Sequence, residues 1–183
     1  MSATSAPFGL RPAYHPSGVI RPEMSTVVSG YATTIYQNQP VKIAADGSIQ
    51  AAAVGDRFVG SFQGVEWTDS DGRRRFSNKW TASTAGTDIV AWYTRDPAIV
   101  YEIQSNAALA LSNVGQEFDF TAASGSAVVG ISTQMLDVAS SAANASVQFL
   151  SITPGADNAY GDTYVIAQVR ISEHQLVADI AAF

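Results

Sequence analysis

The chain has 183 residues, of which 14% are charged and 46% are hydrophobic, and its formal net charge is −6. This length suits one domain that buries a core of its own. The lack of Cys excludes disulfides, thiolate nucleophiles, zinc–cysteine sites and iron–sulfur clusters. The acidic balance argues against a broad nucleic-acid-binding face. No stretch of 18 apolar residues predicts a membrane-spanning segment.

The low charge content predicts a neutral, polar surface, which suits a subunit of an assembly better than a protein that works alone. The charges are also unevenly distributed along the chain. Up to Trp80 there are eight basic and six acidic residues, and beyond Trp80 there are two basic and ten acidic residues.

Residues 1–25 are predicted to form an extended N-terminal arm, because Pro7, Pro12, Pro16 and Pro22 disfavour both helix and strand there. The arm is nevertheless too rich in apolar residues for a free tail. We therefore expect it to pack either on the body of its own chain or on a neighbour. Residues 26–183 are expected to form the body and to fold without the arm.

The body is predicted to be all-β, a small barrel or a sandwich, because short alternating segments recur between Gly, Pro, Asn and Asp turns. Glycines within the predicted strand 57–67 favour a curved barrel. Helices are expected only at 106–111 and 174–182. The predicted strands are 31–35, 40–43, a short strand at Ile49, 57–67, 73–80, 88–93, 98–104, 117–121, 127–132, 147–152 and 164–171.

Two charged motifs favour structural over chemical interpretations. Asp69-Ser-Asp-Gly resembles the start of a calcium loop, but the twelfth position is Trp80 instead of Glu, so a hairpin turn is predicted. The run Arg73, Arg74 and Arg75 could bind phosphate or nucleic acid, yet little accompanies it that would stack on bases. We expect it to contact an acidic surface of a neighbouring protein.

No catalytic motif is recognisable. His15 and His174 have no Ser or acid at the spacing of a relay, and both are expected to be structural or surface residues. The loop that starts at Asp157 holds two carboxylates, as a glycosidase would, but a plain loop is favoured. The sequence thus predicts no catalytic residue, cofactor or metal, and a protein that is not an enzyme.

Segments along nearly the whole chain resemble the head decoration, or cement, proteins of tailed bacteriophages. The two most specific segments are the arm and the stretch that begins at Asp96. The segments that carry the resemblance are Ala6-Pro-Phe-Gly-Leu-Arg-Pro-Ala-Tyr-His-Pro-Ser-Gly, Ser29-Gly-Tyr-Ala-Thr-Thr-Ile-Tyr, Pro40-Val-Lys-Ile, Gly60-Ser-Phe-Gln-Gly-Val-Glu-Trp-Thr-Asp-Ser, Asp96-Pro-Ala-Ile-Val-Tyr-Glu-Ile-Gln, Asp157-Asn-Ala-Tyr-Gly-Asp and Ile171-Ser-Glu-His.

The resemblance implies a structural protein on the outer surface of an icosahedral head, made in the host cytoplasm, that bridges subunits of the major capsid protein. The implied partners are the major capsid protein and further copies of the chain, as a homodimer or homotrimer, with no nucleic acid or membrane. The expected contact residues are Phe8, Leu10, Arg11, Tyr14, His15, Arg73, Arg74 and Arg75.

Two alternatives remain open. A tail or neck protein would be present in far fewer copies per particle than a cement protein. A carbohydrate-binding β module would need exposed, coplanar tryptophans among Trp67, Trp80 and Trp92, of which Trp67 and Trp92 lie in strands that look like core.

Overall fold

The computed structural model describes residues 4–179 of the chain. These residues form twelve β-strands and one short 3₁₀ turn, Leu111–Asn113, with no α-helix among them. The strands are β1 Arg11–Tyr14, β2 Glu23–Ser25, β3 Pro40–Ile43, β4 Ile49–Ala51, β5 Gly60–Thr68, β6 Arg74–Ser77, β7 Thr87–Tyr93, β8 Val100–Gln104, β9 Glu117–Phe120, β10 Leu136–Ala142, β11 Val147–Ile152 and β12 Ile166–Ile171. The all-β prediction is confirmed.

The strands form two antiparallel sheets of six strands each. Sheet one has the order β1-β8-β12-β11-β9-β10. Sheet two has the order β2-β7-β5-β3-β4, and β6 pairs with β5 beside it. Neither sheet closes into a barrel, so the curved barrel that the glycines of β5 suggested is not formed.

Each sheet has a hydrophobic core of its own. In β12 the inward positions Ala167, Val169 and Ile171 alternate with more exposed residues, as expected for a strand with one buried face. Core one, on sheet one, includes Phe58, Tyr101, Phe118 and Phe149. Core two, on sheet two, includes Ile35, Val41, Phe62 and Trp80.

Gly60, at the start of β5, is required by a close backbone approach. A Cβ atom at this position would lie only 1.9 Å from the carbonyl oxygen of Thr94. The glycine thus marks a point where two chain segments touch, which is one of the meanings of a glycine within a strand.

The N-terminal segment is part of both sheets, so an extended arm is not confirmed. In β1, Arg11 lies opposite Glu102 of sheet one, and in β2, Glu23 lies opposite Tyr93 of sheet two. Leu10 is completely buried in core one, and its backbone N–H donates to the oxygen of Asn38 at 2.7 Å. Of the two expected packing partners, the segment packs on the body of its own chain.

Four local predictions are wrong. Residues 31–35, which were predicted as a strand, form only an isolated bridge between Ile35 and Trp80. The apolar stretch 127–132 is a turn with isolated bridges at Ile131 and Ser132, and Val128 in it is 95% exposed. The strand in this region is β10, whose small and polar residues lie at the edge of sheet one and lack apolar alternation. No α-helix forms at 106–111, where only Leu111 begins the 3₁₀ turn, or at 174–179. Residues 180–182 lie outside the described part of the chain.

Candidate functional site

The residues expected to contact a partner from the arm have different environments. Leu10 is buried in core one, so it is unavailable to a partner and its assignment as a contact residue is corrected. The guanidinium of Arg11 lies 4.4 Å from the centroid of the Phe8 ring and also pairs with Glu102 at 2.5 Å. Phe8 is half-buried, whereas Tyr14 is 51% exposed. Tyr14 is therefore the apolar arm residue among them that is most open to a partner.

Tyr14 is the last residue of β1 and lies at the start of the connection from sheet one to β2 of sheet two. We call residues 14–22 the arm loop. It carries a second exposed apolar side chain, Val19, at 54% exposure, between Pro16 and Pro22. Beside it lies an open cavity of about 420 Å³ whose lining includes His15, Ser17 and Val19. The sequence did not single out Val19 as a contact residue.

The His15 ring lies between the Ser17 hydroxyl and the Asp96 carboxylate at this cavity. Its Nδ1 lies 2.7 Å from Ser17 Oγ, and its Nε2 lies 3.3 Å from a carboxylate oxygen of Asp96. These contacts could not be predicted from residue spacing, because Asp96 is distant from His15 along the chain. Nδ1 also accepts the backbone N–H of Ser17, and the Gly18 N–H donates to the His15 oxygen at 2.8 Å. These are the contacts of a side-chain-capped turn, so we assign His15 the task of shaping the arm loop.

The basic run lies on the β5–β6 hairpin of sheet two and is largely neutralised there. Arg74 pairs with Glu66 at 2.5 Å, and Arg75 pairs with Asp69 at 2.6 Å. Arg73 is exposed beside them. The expected contact between a free cationic patch and an acidic neighbour is weakened, since two of the three charges already have partners in the same hairpin.

Asp69 closes the hairpin turn predicted for Asp69-Ser-Asp-Gly. Its carboxylate accepts the backbone N–H groups of Asp71 and Arg73, at 3.0 and 2.9 Å. The bond from the Arg73 N–H and the Arg75 guanidinium lower the pKa of this carboxyl group. The side chain thus acts as a turn acceptor, as in other Asx turns.

The tryptophans do not form a platform for sugars. Trp80 is completely buried, and Trp67 packs against it edge to face, with ring centroids 5.7 Å apart. Trp92 is half-buried on the side of sheet two that faces away from core two. The prediction that Trp92 belongs to the core is therefore wrong.

His174 and the Asp157 loop are structural features. His174 is buried and accepts the Leu176 N–H at Nδ1, so the proton is on Nε2, which faces the oxygens of Val59 and Arg95. Asn158 donates to the oxygens of Thr153 and Ile166 and accepts the Ile166 N–H. The Asn158 side chain therefore provides the hydrogen bonds that these backbone groups would otherwise make with other backbone groups.

Sequence reasoning also missed two exposed apolar side chains of sheet two. Met24 is 72% exposed and Phe76 is 71% exposed. Their exposure was not apparent because each lies in a short strand whose inward face could not be assigned from so few residues.

Within residues 4–179, no group of three His, Asp or Glu side chains is placed to hold a metal ion. The same residues include no helix with the length and hydropathy to cross a membrane. Comparisons of the chain with protein-family models, curated proteins and solved structures give no match.

Proposed function

We propose that the chain is a virion structural protein that decorates the outer surface of an icosahedral bacteriophage head and bridges subunits of the major capsid protein. The sequence resemblance, which extends over nearly the whole chain, suggests this class. The structural observation that carries the proposal is the arm loop, which both sheets hold in place and which exposes Tyr14 and Val19.

The anchoring of the arm loop favours binding. Its two ends are fixed by the pairing of β1 with β8 and of β2 with β7, and the contacts of His15 fix its turn. A loop that is already ordered loses little conformational entropy when it docks, so more of the contact energy appears as affinity. Its apolar side chains are then available to fill a depression on the capsid.

The contact set is revised accordingly. Tyr14, His15 and Val19 form the contact surface, and Phe8 with Arg11 supports it by packing at the start of β1. Arg73, on the β5–β6 hairpin, provides a second point of contact with the capsid. Leu10 acts only within the core.

Decoration stabilises a shell by mass action. A protein that binds the assembled lattice and not the free subunits shifts the equilibrium toward the lattice. Many copies, each in contact with more than one subunit, add their contributions even where each contact is weak. A surface with few charged residues is compatible with such dense packing of copies.

The test is binding to empty shells assembled from the major capsid protein of the same genome. Purified chain is mixed with shells, and the bound fraction is measured by co-sedimentation. We expect saturable binding, and at least a tenfold weaker affinity for the variant Tyr14→Ser/Val19→Ser, because two apolar contacts are lost.

The matched control is Val128→Ser/Val129→Ser, which removes two exposed valines from the turn next to Asn78 and should leave shell binding unchanged. Equal binding of the Tyr14/Val19 variant and the wild type would overturn the assigned surface. No binding of the wild type, or cryo-electron microscopy density confined to the tail or neck of the particle, would overturn the proposed function. Deletion of residues 1–22 is a poorer test, since it also removes Leu10 from core one.

A further inference from the structure

Sheet two has one face on core two and an opposite face on which, within residues 4–179, Met24 and Phe76 are largely exposed. On β7, Ala91 and Tyr93 are buried in core two. Because successive side chains of a strand point to opposite faces, Val90 and Trp92 lie on the other side. We call this side the outer face.

The outer face has an apolar surface built across four strands. Met24 of β2 lies opposite Trp92 of β7, and Trp92 lies opposite Gly64 of β5. Gly64 has no side chain, so β5 does not cover the indole on that side. In the next row Val90 lies opposite Glu66, and Glu66 lies opposite Phe76 of β6. Cross-strand partners share a face, so these side chains form one surface.

The charges of the outer face are balanced. The Arg74 guanidinium contacts the Glu66 carboxylate at 2.5 Å and also donates to the backbone oxygen of Asp88 at 2.8 Å. Both charged side chains are partly exposed, so they remain accessible beside Phe76. Asp88 lies at the rim, where its carboxylate accepts from the hydroxyl of Thr68.

We propose that the outer face is the interface with a second copy of this chain, related to the first by a two-fold axis. A two-fold interface brings the same patch of both copies together, so the patch must be complementary to itself. A face with charges of one sign would repel its copy. When the two faces are stacked in opposite directions, the Arg74–Glu66 pair of one copy lies over the same pair of the other copy in reverse order. Each guanidinium then keeps its own Glu66 and also faces the Glu66 of the other copy, and the apolar side chains of the two faces leave water.

The composition of the surface fits this occupant. Interface cores are enriched in aromatic residues, Met and Arg, which are the residue types that the outer face presents in Trp92, Phe76, Met24 and Arg74. The pair would also carry two arm loops, so that binding of one loop to a lattice would favour binding of the second. The inference itself concerns the free protein and does not rest on shell binding.

The first test is the mass of the purified chain in solution, measured by light scattering after size-exclusion chromatography. We expect a dimer, with twice the 19.3 kDa of the monomer. The variant Met24→Ser/Phe76→Ser should be monomeric and keep the wild-type circular dichroism spectrum, since both side chains are exposed. The control Leu111→Ser/Val128→Ser, at two other exposed positions, should stay dimeric.

A charge exchange tests the register of the interface. Arg74→Glu places two acidic side chains on each face, and Glu66→Arg places two basic ones, so each variant alone should be monomeric. An equal mixture of the two should form a heterodimer, because every cross-interface contact is then between opposite charges.

Several results would overturn the proposal. A monomeric wild type at micromolar concentrations would do so, as would a trimer. A dimer that survives the loss of Met24 and Phe76 would place the interface elsewhere. Failure of the two charge variants to associate with each other would reject the stacked two-fold arrangement. Shell binding by a strictly monomeric wild type would keep the proposed decoration function while rejecting the dimer.

Discussion

The hydroxyl of Tyr101 lies 2.9 Å from Oγ1 of Thr94, and this buried hydrogen bond connects the two sheets. Tyr101 belongs to β8 and to core one, whereas Thr94 directly follows β7 of sheet two. Thr94 Oγ1 also accepts the backbone N–H of Ser61 in β5, at 2.9 Å. Burial raises the pKa of the Tyr101 phenol, so the hydroxyl keeps its proton and remains available for the hydrogen bond with Thr94.

Replacement of Tyr101 by Phe should lower the free energy of unfolding by about 1–2 kcal/mol, because the bond is lost inside the protein and the Thr94 hydroxyl keeps only its other partners. Urea denaturation followed by tryptophan fluorescence measures this change. Tyr14→Phe is the matched control, since Tyr14 is largely exposed. Equal stability of the Tyr101→Phe variant and the wild type would show that the bond contributes nothing.

The sequence predicted the strands where apolar and polar residues alternate or where turn residues border an apolar stretch. Segments 147–152 and 88–93 became β11 and most of β7 for this reason. It failed at β10, an edge strand of small and polar residues, and at the exposed valines around Val128. In both places tertiary context decides the structure, because an edge strand is formed by its neighbour and not by its own pattern.

The candidate site could be predicted only in part. Tyr14 was identified because the arm is too rich in apolar residues for a free tail, but nothing local showed that Leu10 is buried by distant strands. The neutralisation of Arg74 depends on Glu66, which lies opposite Phe76 on a paired strand. The contact of His15 with Asp96 depends on the fold in the same way. The predicted turn at Asp69 brings Arg74 near Glu66 only once the pairing register is known, and the contact of His15 with Asp96 joins segments that are distant along the sequence.

Leu10 provides the test of the N-terminal segment as part of the fold. Its side chain is completely buried in core one, so Leu10→Ala should lower the free energy of unfolding by about 2–4 kcal/mol through lost burial and a cavity. Leu176→Ala, at an exposed position, should change it by less than about 0.5 kcal/mol. A Leu10→Ala variant as stable as the wild type would show that the segment packs independently of the body.

Glu117 makes stability depend on pH in a defined direction. Its side chain is buried, one carboxylate oxygen has no partner, and the other accepts the Ala145 N–H at 3.1 Å. Burial raises the pKa of Glu117 above its ordinary value of 4.5. Between 4.5 and the raised pKa the folded state holds the proton more firmly than the unfolded state, so this group destabilises the fold as pH rises through that window.

Glu117→Gln should therefore be more stable than the wild type at pH 8 by about 1–3 kcal/mol, because no charge has to be buried. The advantage should largely disappear at pH 4, where the wild-type carboxyl group is mostly protonated in both states. Urea denaturation of both proteins from pH 4 to 8 measures the difference. A constant difference across this range would show that Glu117 does not titrate in the folded protein as proposed.

His174 contributes a pH dependence of the opposite sign. Burial lowers the pKa of this imidazole below its ordinary value of 6.5, although the oxygens of Arg95 and Val59 favour the proton. Below pH 6.5 the unfolded chain takes up a proton that the folded chain resists, so the stability contributed by this group is full above 6.5 and is lost as pH falls toward the lowered pKa.

The two titrations oppose each other in the wild type, so the effect of His174 is measured in a Glu117→Gln background. In the Glu117→Gln background, we expect the free energy of unfolding to decrease as pH falls below 6.5. Adding His174→Gln should remove this decrease. It should also lower the free energy of unfolding at pH 8, because buried hydrogen bonds are lost. His15→Gln, which alters the other histidine of the chain, should keep the decrease below pH 6.5. If the His15 variant loses the decrease and the His174 variant retains it, the buried imidazole is not its source.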